Sequence, residues 1–508
     1  MNKPKHSAGR GYRHALHRRV TWTLLAVLFI SWGGPAANAF WQSLSSSNFG
    51  AAKADTMPQG GAPAGSLSGT NVTVSWAAAT TAGGHAVAGY TVARYSAPSG
   101  GTKVAAGGGC TGTVSGLGCI EQSVPDGTWY YTITPIISLW TGAESARSAG
   151  ISIDTTPPTV SVASISPTPN AAGFNNTSPV TVNLSAVDNP GGSGVATIKY
   201  TIDGGSTVTV NAATAAVNVS GEGTHTVSYF ASDVAGNTST PKTQTVKIDT
   251  IAPDRPSISA PAWVNNANKS NVLVTGTAEA GASVTLTVTD AGGTNSASQT
   301  VTANGSGAWS TSGLSLANLN DGTISYSAVA KDAAGNTSQP TTVALSKDTL
   351  APTVSSITMA NGKSSGVADK GDTLTIVFSS DMDAHTLCSA WDSTSATHSA
   401  TGTVSISAAN DTLTLTSGGS CLVPAFGSVL LNGDYNSNAS QARTFSAPIT
   451  WTQSTGTLVI TLNDNGTNGS KGGGVPSSLP VYTPPADAAD IAGNPLTGTF
   501  TAGIASGF

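Results

Sequence analysis

Two stretches carry the fold: "EGTHTVSYFASDVAGNTS", Glu222–Ser239, and "DGTISYSAVAKDAAGNTS", Asp321–Ser338. Counting from the acid, positions +3, +5, +7 and +9 are His225, Val227, Tyr229 and Ala231 in one, and Ile324, Tyr326, Ala328 and Ala330 in the other. The residues between them are largely Ser and Thr. Alternation with period two is the mark of a strand with one face on a core. The same opening, acid-Gly-Thr, launches "DGTWYYTITPI" at Asp126, with Trp129, Tyr131, Ile133 and Pro135 on the corresponding face.

The segment after each strand is also fixed. Glu222, Asp233 and Asp249 correspond to Asp321, Asp332 and Asp348, each pair 99 residues apart, so a unit of about that length is repeated. The "D-x-A-G-N" turn stands 11 residues after the acid and 16 before a linker, and "ADIAGNPL", Ala489–Leu496, repeats it near the end. The linkers "DTTPP" at Asp154, "DTIAP" at Asp249 and "DTLAP" at Asp348 share a form. Proline fixes its own φ and pushes its predecessor to extended backbone, which predicts short semi-rigid joints.

These marks partition the chain into a signal peptide over 1–39, a linker over 40–62, and four β units over 63–154, 155–249, 250–348 and 349–508. The leader rests on a basic start ending "HRRV", the apolar run "TWTLLAVLFISW", and Ala37-Asn38-Ala39 as a small-x-small cleavage site. Export to a secreted or cell-surface location is expected, and a membrane partner only if the leader is retained as an anchor.

Composition agrees with an all-β reading. Only 9% of the 508 residues are charged and Gly numbers 59, poor material for surface helices. Six of the 21 basic residues precede residue 20, leaving 15 bases against 26 acids in the rest. With no basic stripe after the leader, nucleic acid is excluded as a partner class.

Several stretches resemble known families. "NVTVSWAAA" with Trp76, "AVAGYTVARYS" with Tyr90 and the strand carrying Tyr131 resemble a fibronectin type III domain. That resemblance implies a core Trp76, and a Tyr131 forming a corner with upstream backbone. "GSGVATIKYTIDGGSTVTV" with the Glu222 stretch, and "VTGTAEAGASVTLTV" with "NGSGAWS" and the Asp321 stretch, resemble bacterial Ig-like modules of surface proteins and adhesins. The last unit, with "GDTLTIVFSSDMD", "DTLTLTSG" and "GTLVITLND", resembles their Ig-like end modules. The expected fold is therefore a tandem array of antiparallel β-sandwiches, fibronectin type III-like and then Ig-like, reaching over ~100 Å if laid in line.

Cysteine usage suits an oxidising compartment: Cys110 and Cys119 flank "CTGTVSGLGC", and Cys388 and Cys421 fall within the last unit, giving two expected disulfides. Chemistry is harder to find. The histidines after the leader (85, 225, 385, 398) and the four glutamates (121, 144, 222, 279) form no acid–base or nucleophile pattern. Asp381, Asp383 and His385 would matter only if a cleft gathered them. "NGTNGSKGGG", Asn465–Gly474, has no helix behind it to bind an anion and is expected as a mobile surface loop. No enzyme is expected.

The turn motif has two readings. Its Asp can accept hydrogen bonds from turn backbone while Gly supplies positive φ. Alternatively Asp233 and Asp332, with Asp249 and Asp348 at the linkers, can supply hard oxygens to calcium, a use of such joints that the resemblance to adhesin arrays implies. A non-enzymatic structural or adhesive stalk, meeting an extracellular protein or polysaccharide surface, is the expected function. The alternative is a carbohydrate-binding accessory protein using Trp140, Trp263, Trp391 and Trp451.

Overall fold

The computed structural model describes residues 55–379, 381–417, 426–438 and 440–508, and the backbone of a two-residue strand, Ala39–Phe40, paired with Asp55–Thr56. The expected leader, apart from the backbone of Ala39, therefore lies outside the described residues. Among those residues, no helix is long and apolar enough to cross a membrane. By contact the chain forms two compact units whose boundary runs through the second β unit: Met1–Ser166 with Thr181–Asn218 and His225–Thr245, and Pro167–Val180 with Val219–Thr224 and Val246–Phe508.

The first unit opens with a sandwich. One sheet holds Ala64–Ser68, Asn71–Ser75 and Gly118–Glu121; the other runs Ile151–Ile153, Gly127–Ile137, Gly89–Tyr95, Lys103–Ala105. Strand alternation puts Val72, Val74, Trp76, Tyr90, Tyr131 and Ile133 between them, with Trp76 and Tyr90 edge to face at 5.3 Å. The expected Tyr131 corner takes a different partner. Its hydroxyl donates to Glu121 Oε2 at 2.7 Å, and not to backbone, because Glu121 is itself buried between Tyr131, the Gly107 N–H and the Arg94 guanidinium. Burial pushes the Tyr131 phenol up, and the Glu121 carboxylate adds to it. Arg94 also lies over the Trp129 ring at 4.7 Å. Cys110 and Cys119 are bonded to each other.

From the second sandwich this unit takes Thr159–Ser166 paired with Val180–Val187, and Gly223–Asp233 paired with Val195–Ile202. Val227, Tyr229 and Ala231 face the core as their period demands. His225 lies at the open end of that face, its Nδ1 2.8 Å from Asp203 Oδ2.

In the second unit, Phe174–Asn175 runs parallel to Lys247 and Ile248. The third sandwich has a five-stranded sheet ordered Trp263–Val264, Thr341–Lys347, Gly322–Lys331, Ser283–Asp290, Ser296–Thr302, faced by Thr275–Thr277 and Ala308–Ser310. Ile324, Tyr326, Ala328 and Ala330 are all fully buried on the predicted face. Trp309 packs so closely under Gly276 that a Cβ there would lie 2.7 Å from the ring and 2.0 Å from the Ser257 carbonyl oxygen.

Among the described residues, the last β unit forms one nine-stranded sheet, antiparallel throughout, from Val354–Ala360 at one edge to Phe500–Thr501 at the other. A single core takes Ile357 and Met359 from one edge and Tyr482 and Ala502 from the other, so the sheet folds over itself. The glycine-rich stretch at 465–474, expected as a mobile surface loop, is mostly exposed, but Gly466 and Gly469 in it pack on Arg443. That side chain is 2% exposed and donates to the Asn465 carbonyl at 2.6 Å, while Gly466 and Gly469 leave no room for a Cβ beside it.

Candidate functional site

The joints are built the same way three times. On the upstream side, the acid of acid-Gly-Thr accepts from the Thr of the linker. Asp126 takes the Thr155 N–H at 3.1 Å and its hydroxyl at 2.9 Å; Glu222 takes the Thr250 N–H at 2.9 Å and its hydroxyl; Asp321 takes the Thr349 N–H at 3.1 Å and its hydroxyl at 3.0 Å. The Thr250 hydroxyl and N–H hold the Glu222 carboxyl below its usual range. At the third joint Lys347, almost wholly buried, adds an ion pair to Asp321 at 2.6 Å.

On the downstream side stands the "D-x-A-G-N" turn. Asp233 accepts from the Asn237 N–H at 2.8 Å and its side-chain amide at 2.7 Å; Asp332 accepts from the Asn336 N–H and amide, both at 2.9 Å; Asp490 accepts from the Asn494 N–H at 2.8 Å and amide at 3.0 Å. Gly236, Gly335 and Gly493 sit at φ of 96°, 101° and 88°, backbone that a side chain resists. The second proton of each Asn amide then reaches the linker: Asn237 to the Asp154 carbonyl at 3.0 Å, Asn336 to that of Asp249 at 2.8 Å, and Asn494 to that of Asp348 at 3.0 Å. Each linker is thus held by its Thr from the domain it leaves and by its Asp carbonyl from the domain it enters. The motif is a clamp.

The clamp narrows the metal reading. Asp249 and Asp348 meet the turn through backbone carbonyls, while their carboxylates accept from the N–H two residues on. Asp233 is gathered with two acids that no repeated motif singled out as ligands: Asp154 and Asp188 offer carboxylate oxygens which, with that of Asp233, all lie within 4.8 Å of one another. Among the described residues this is the one group of three or more potential metal-ligating side chains. Asp154 is 8% and Asp233 3% exposed. Burial alone pushes the Asp154 carboxyl up, but the Ser193 N–H and hydroxyl, both at 2.8 Å, with the Thr156 N–H and the Asn189 side chain, outweigh it and hold it below the usual range. Asp188 accepts from the Gly194 N–H at 2.6 Å. The signal in the sequence was Asp188 at the end of "VTVNLSAVD", directly before the turn "NPGG", with Asp154 in the linker position of Asp249.

The second and third joints carry amides in addition. Asn170 donates to the Ala333 and Ala334 carbonyls at 2.9 and 3.0 Å, and Asn265 to the Ala492 carbonyl at 2.8 Å.

The remaining candidates fall elsewhere. Asp383 caps the four-residue helix Ala384–Leu387, accepting from the His385 N–H at 3.0 Å, while His385 Nδ1 and His398 Nε2 meet the carbonyls of Trp391 and Asp392. Trp391 and Trp451 are core residues, which removes them as exposed stacking platforms; Trp140 and Trp263 are half-buried. Cys388 is buried, and Cys421 lies outside the described residues.

No curated protein matches the sequence. Solved structures similar to it include a tetra-tandem repeat from the extending region of a large adhesion protein, 18% identical over 81% of this chain and 99% of that one, TM-score 0.26. Another is a Ca2+-stabilized adhesin with which an Antarctic bacterium reaches out and binds ice, 18% identical over 80% and 99%, TM-score 0.28. A third is the set of fibronectin(III)-like modules of Clostridium thermocellum CbhA, 16% identical over 38% and 88%, TM-score 0.18. Residues 252–347, which hold the strands of the third sandwich, match the family model of the bacterial Ig domain.

Proposed function

We propose that the chain is a non-enzymatic structural and adhesive array, exported to a bacterial surface or matrix, with modules over 63–154, 155–249, 250–348 and 349–508. The observation that carries this is the threefold clamp. The acids and amides that recur in the sequence are spent on holding linkers, which is what a stalk that transmits position and load requires. Hydrogen exchange tests it: the amides of Thr155, Thr250 and Thr349, each bonded to an upstream carboxylate, exchange slowly together with the strands beside them. Exchange at the rate of free loops would show that the linkers are tethers and remove the stalk reading.

The first joint supports a second element of this proposal, a calcium ion held by Asp154, Asp188 and Asp233. The donor set is of the kind calcium takes, hard carboxylate oxygens, and two of the three groups are buried. Bound there, the ion would offset two of three convergent negative charges at the entry to the second sandwich. Thermal unfolding with calcium and with chelator checks it, since an ion at a hundredfold excess over its Kd adds about 2.7 kcal/mol. The gain should vanish in Asp188→Asn, and an identical melting curve in both conditions removes the ion. A polysaccharide-binding role rests on Trp140 and Trp263, and retention on insoluble polysaccharide lost in Trp263→Ala would favour it. The two disulfides, Cys110 with Cys119 and Cys388 with Cys421, belong to the same proposal of an exported protein.

A further inference from the structure

The five-stranded sheet of the third sandwich ends on Ser296–Thr302, "SASQTVT", which pairs with Ser283–Asp290 on one side and, among the described residues, with no strand on the other. Exposed edges are ordinarily blunted by shortness, charge, proline or a bulge. Several other edges among the described residues follow that rule, although Ala64–Ser68, five residues long and uncharged, does not. Lys103–Ala105 is three residues long and charged, Val208–Val210 is three residues long, and Thr159–Ser166 and Val354–Ala360 are broken by bulges. Ser296–Thr302 has seven residues, no charge and no proline, and its register runs unbroken from Ser283↔Thr302 to Thr289↔Ser296.

The edge is also symmetric in kind. From either end it reads hydroxyl, aliphatic, hydroxyl, Gln299, hydroxyl, aliphatic, hydroxyl. Thr214–Val219, "TAAVNV", is likewise an uncharged edge but has no such symmetry. Ser296, Ser298, Thr300 and Thr302 are exposed on one face, while Ala297, Gln299 and Val301 are half-buried on the other. An antiparallel copy placed with its two-fold axis at Gln299 sets Ser296 against Thr302, Ala297 against Val301 and Ser298 against Thr300. The sheet already contains such hydroxyl rungs, with Thr285 and Thr300 Oγ1 atoms at 3.0 Å and Thr287 Oγ1 and Ser298 Oγ at 3.3 Å. A closed two-fold contact needs this self-complementarity.

We propose that Ser296–Thr302 is a self-association edge, pairing antiparallel with the same strand of a second copy of this chain and joining two five-stranded sheets into one. The backbone supplies the attraction, and the matched faces fix the register.

Sedimentation equilibrium of the full chain tests it. The wild-type chain associates to dimers at or below ~1 mM, the weak end of specific binding. Ser298→Lys with Thr300→Lys sets like charges opposite each other and leaves a monomer, as does Ser298→Glu with Thr300→Glu; mixing the two variants restores the dimer. Should either double variant fail to fold by circular dichroism, Gln299→Cys replaces them. At the axis it gives an oxidised covalent dimer, whereas Ser296→Cys, which faces Thr302, gives none. A wild-type chain that stays monomeric overturns the proposal, as does a dimer that survives the lysines, a mixture that stays monomeric, or cross-linking equal at 296 and 299.

Discussion

Replacing Asn336 by Ala removes the clamp at the second joint without touching the turn backbone. Two side-chain hydrogen bonds disappear, one to the Asp332 carboxylate at 2.9 Å and one to the Asp249 carbonyl at 2.8 Å, while the bond from the Asn336 N–H to Asp332 stays. A bond to a charged group is worth about 1.5–3 kcal/mol and a neutral one about 0.5–1.5 kcal/mol. Asn336 is half-buried, so water can replace part of what is lost and the lower ends apply. The sum is about 2 kcal/mol. For a domain of about 100 residues, each kcal/mol moves Tm by about 4–8 °C, which places the expected fall of the transition belonging to the third sandwich at about 8–16 °C. Calorimetry of the full chain, with urea titration at fixed temperature as a second measure, reads it directly. Asn494→Ala should act alike on the last β unit. A loss below about 0.5 kcal/mol at both joints would refute the idea that the Asn amide couples linker to domain.

Gly276→Ala should destabilise the third sandwich by about 1–3 kcal/mol or more, because its Cβ would meet the Ser257 carbonyl at 2.0 Å; Gly305→Ala, with open space around it, is the control expected to show no loss in the same urea titration. Asn175→Val should stabilise. Asn175 is 4% exposed with Oδ1 unpartnered, and Val264 fills the equivalent place before the next linker, so a gain of about 1–2 kcal/mol is expected in urea unfolding. Asp290 accepts from the backbone and side-chain amides of Asn295 and from Asn320, and these bonds lower its pKa to about 2. Because the folded value lies below the unfolded one of about 3.9, its contribution is complete above that value and is lost as pH falls through about 2. Asp290→Asn should therefore flatten the acid limb of the third sandwich's Tm between about pH 4 and pH 2, and an unchanged slope would show that the bonds are weak.

Much of the fold was legible because strand faces are written locally. The core residues of Gly322–Lys331 come from period two alone, and the linkers declare themselves by Asp-Thr and proline. What escaped was long-range. Glu121 under Tyr131 is 10 residues away in the chain and belongs to the opposite sheet, so nothing local told that the phenol would find a carboxylate. Arg443 beneath the 465–474 loop is of the same kind. Glycines at 466 and 469 read as flexibility, but they are the absence of side chains where a guanidinium passes.

A tandem array of sandwiches, with acid-Gly-Thr, "D-x-A-G-N" and the linker recurring at fixed spacing, was readable from the residues alone, because strand alternation and turn chemistry act over a few positions. Which acids meet was a matter for the folded chain. Asp154, Asp188 and Asp233 are spread over 80 residues, and only the return of two strands and a linker to one end of the sandwich brings them within 4.8 Å. Folding likewise sends the second half of each Asn amide out of its own turn to the linker. Its partner there is a backbone carbonyl, an atom every residue carries and no sequence pattern marks.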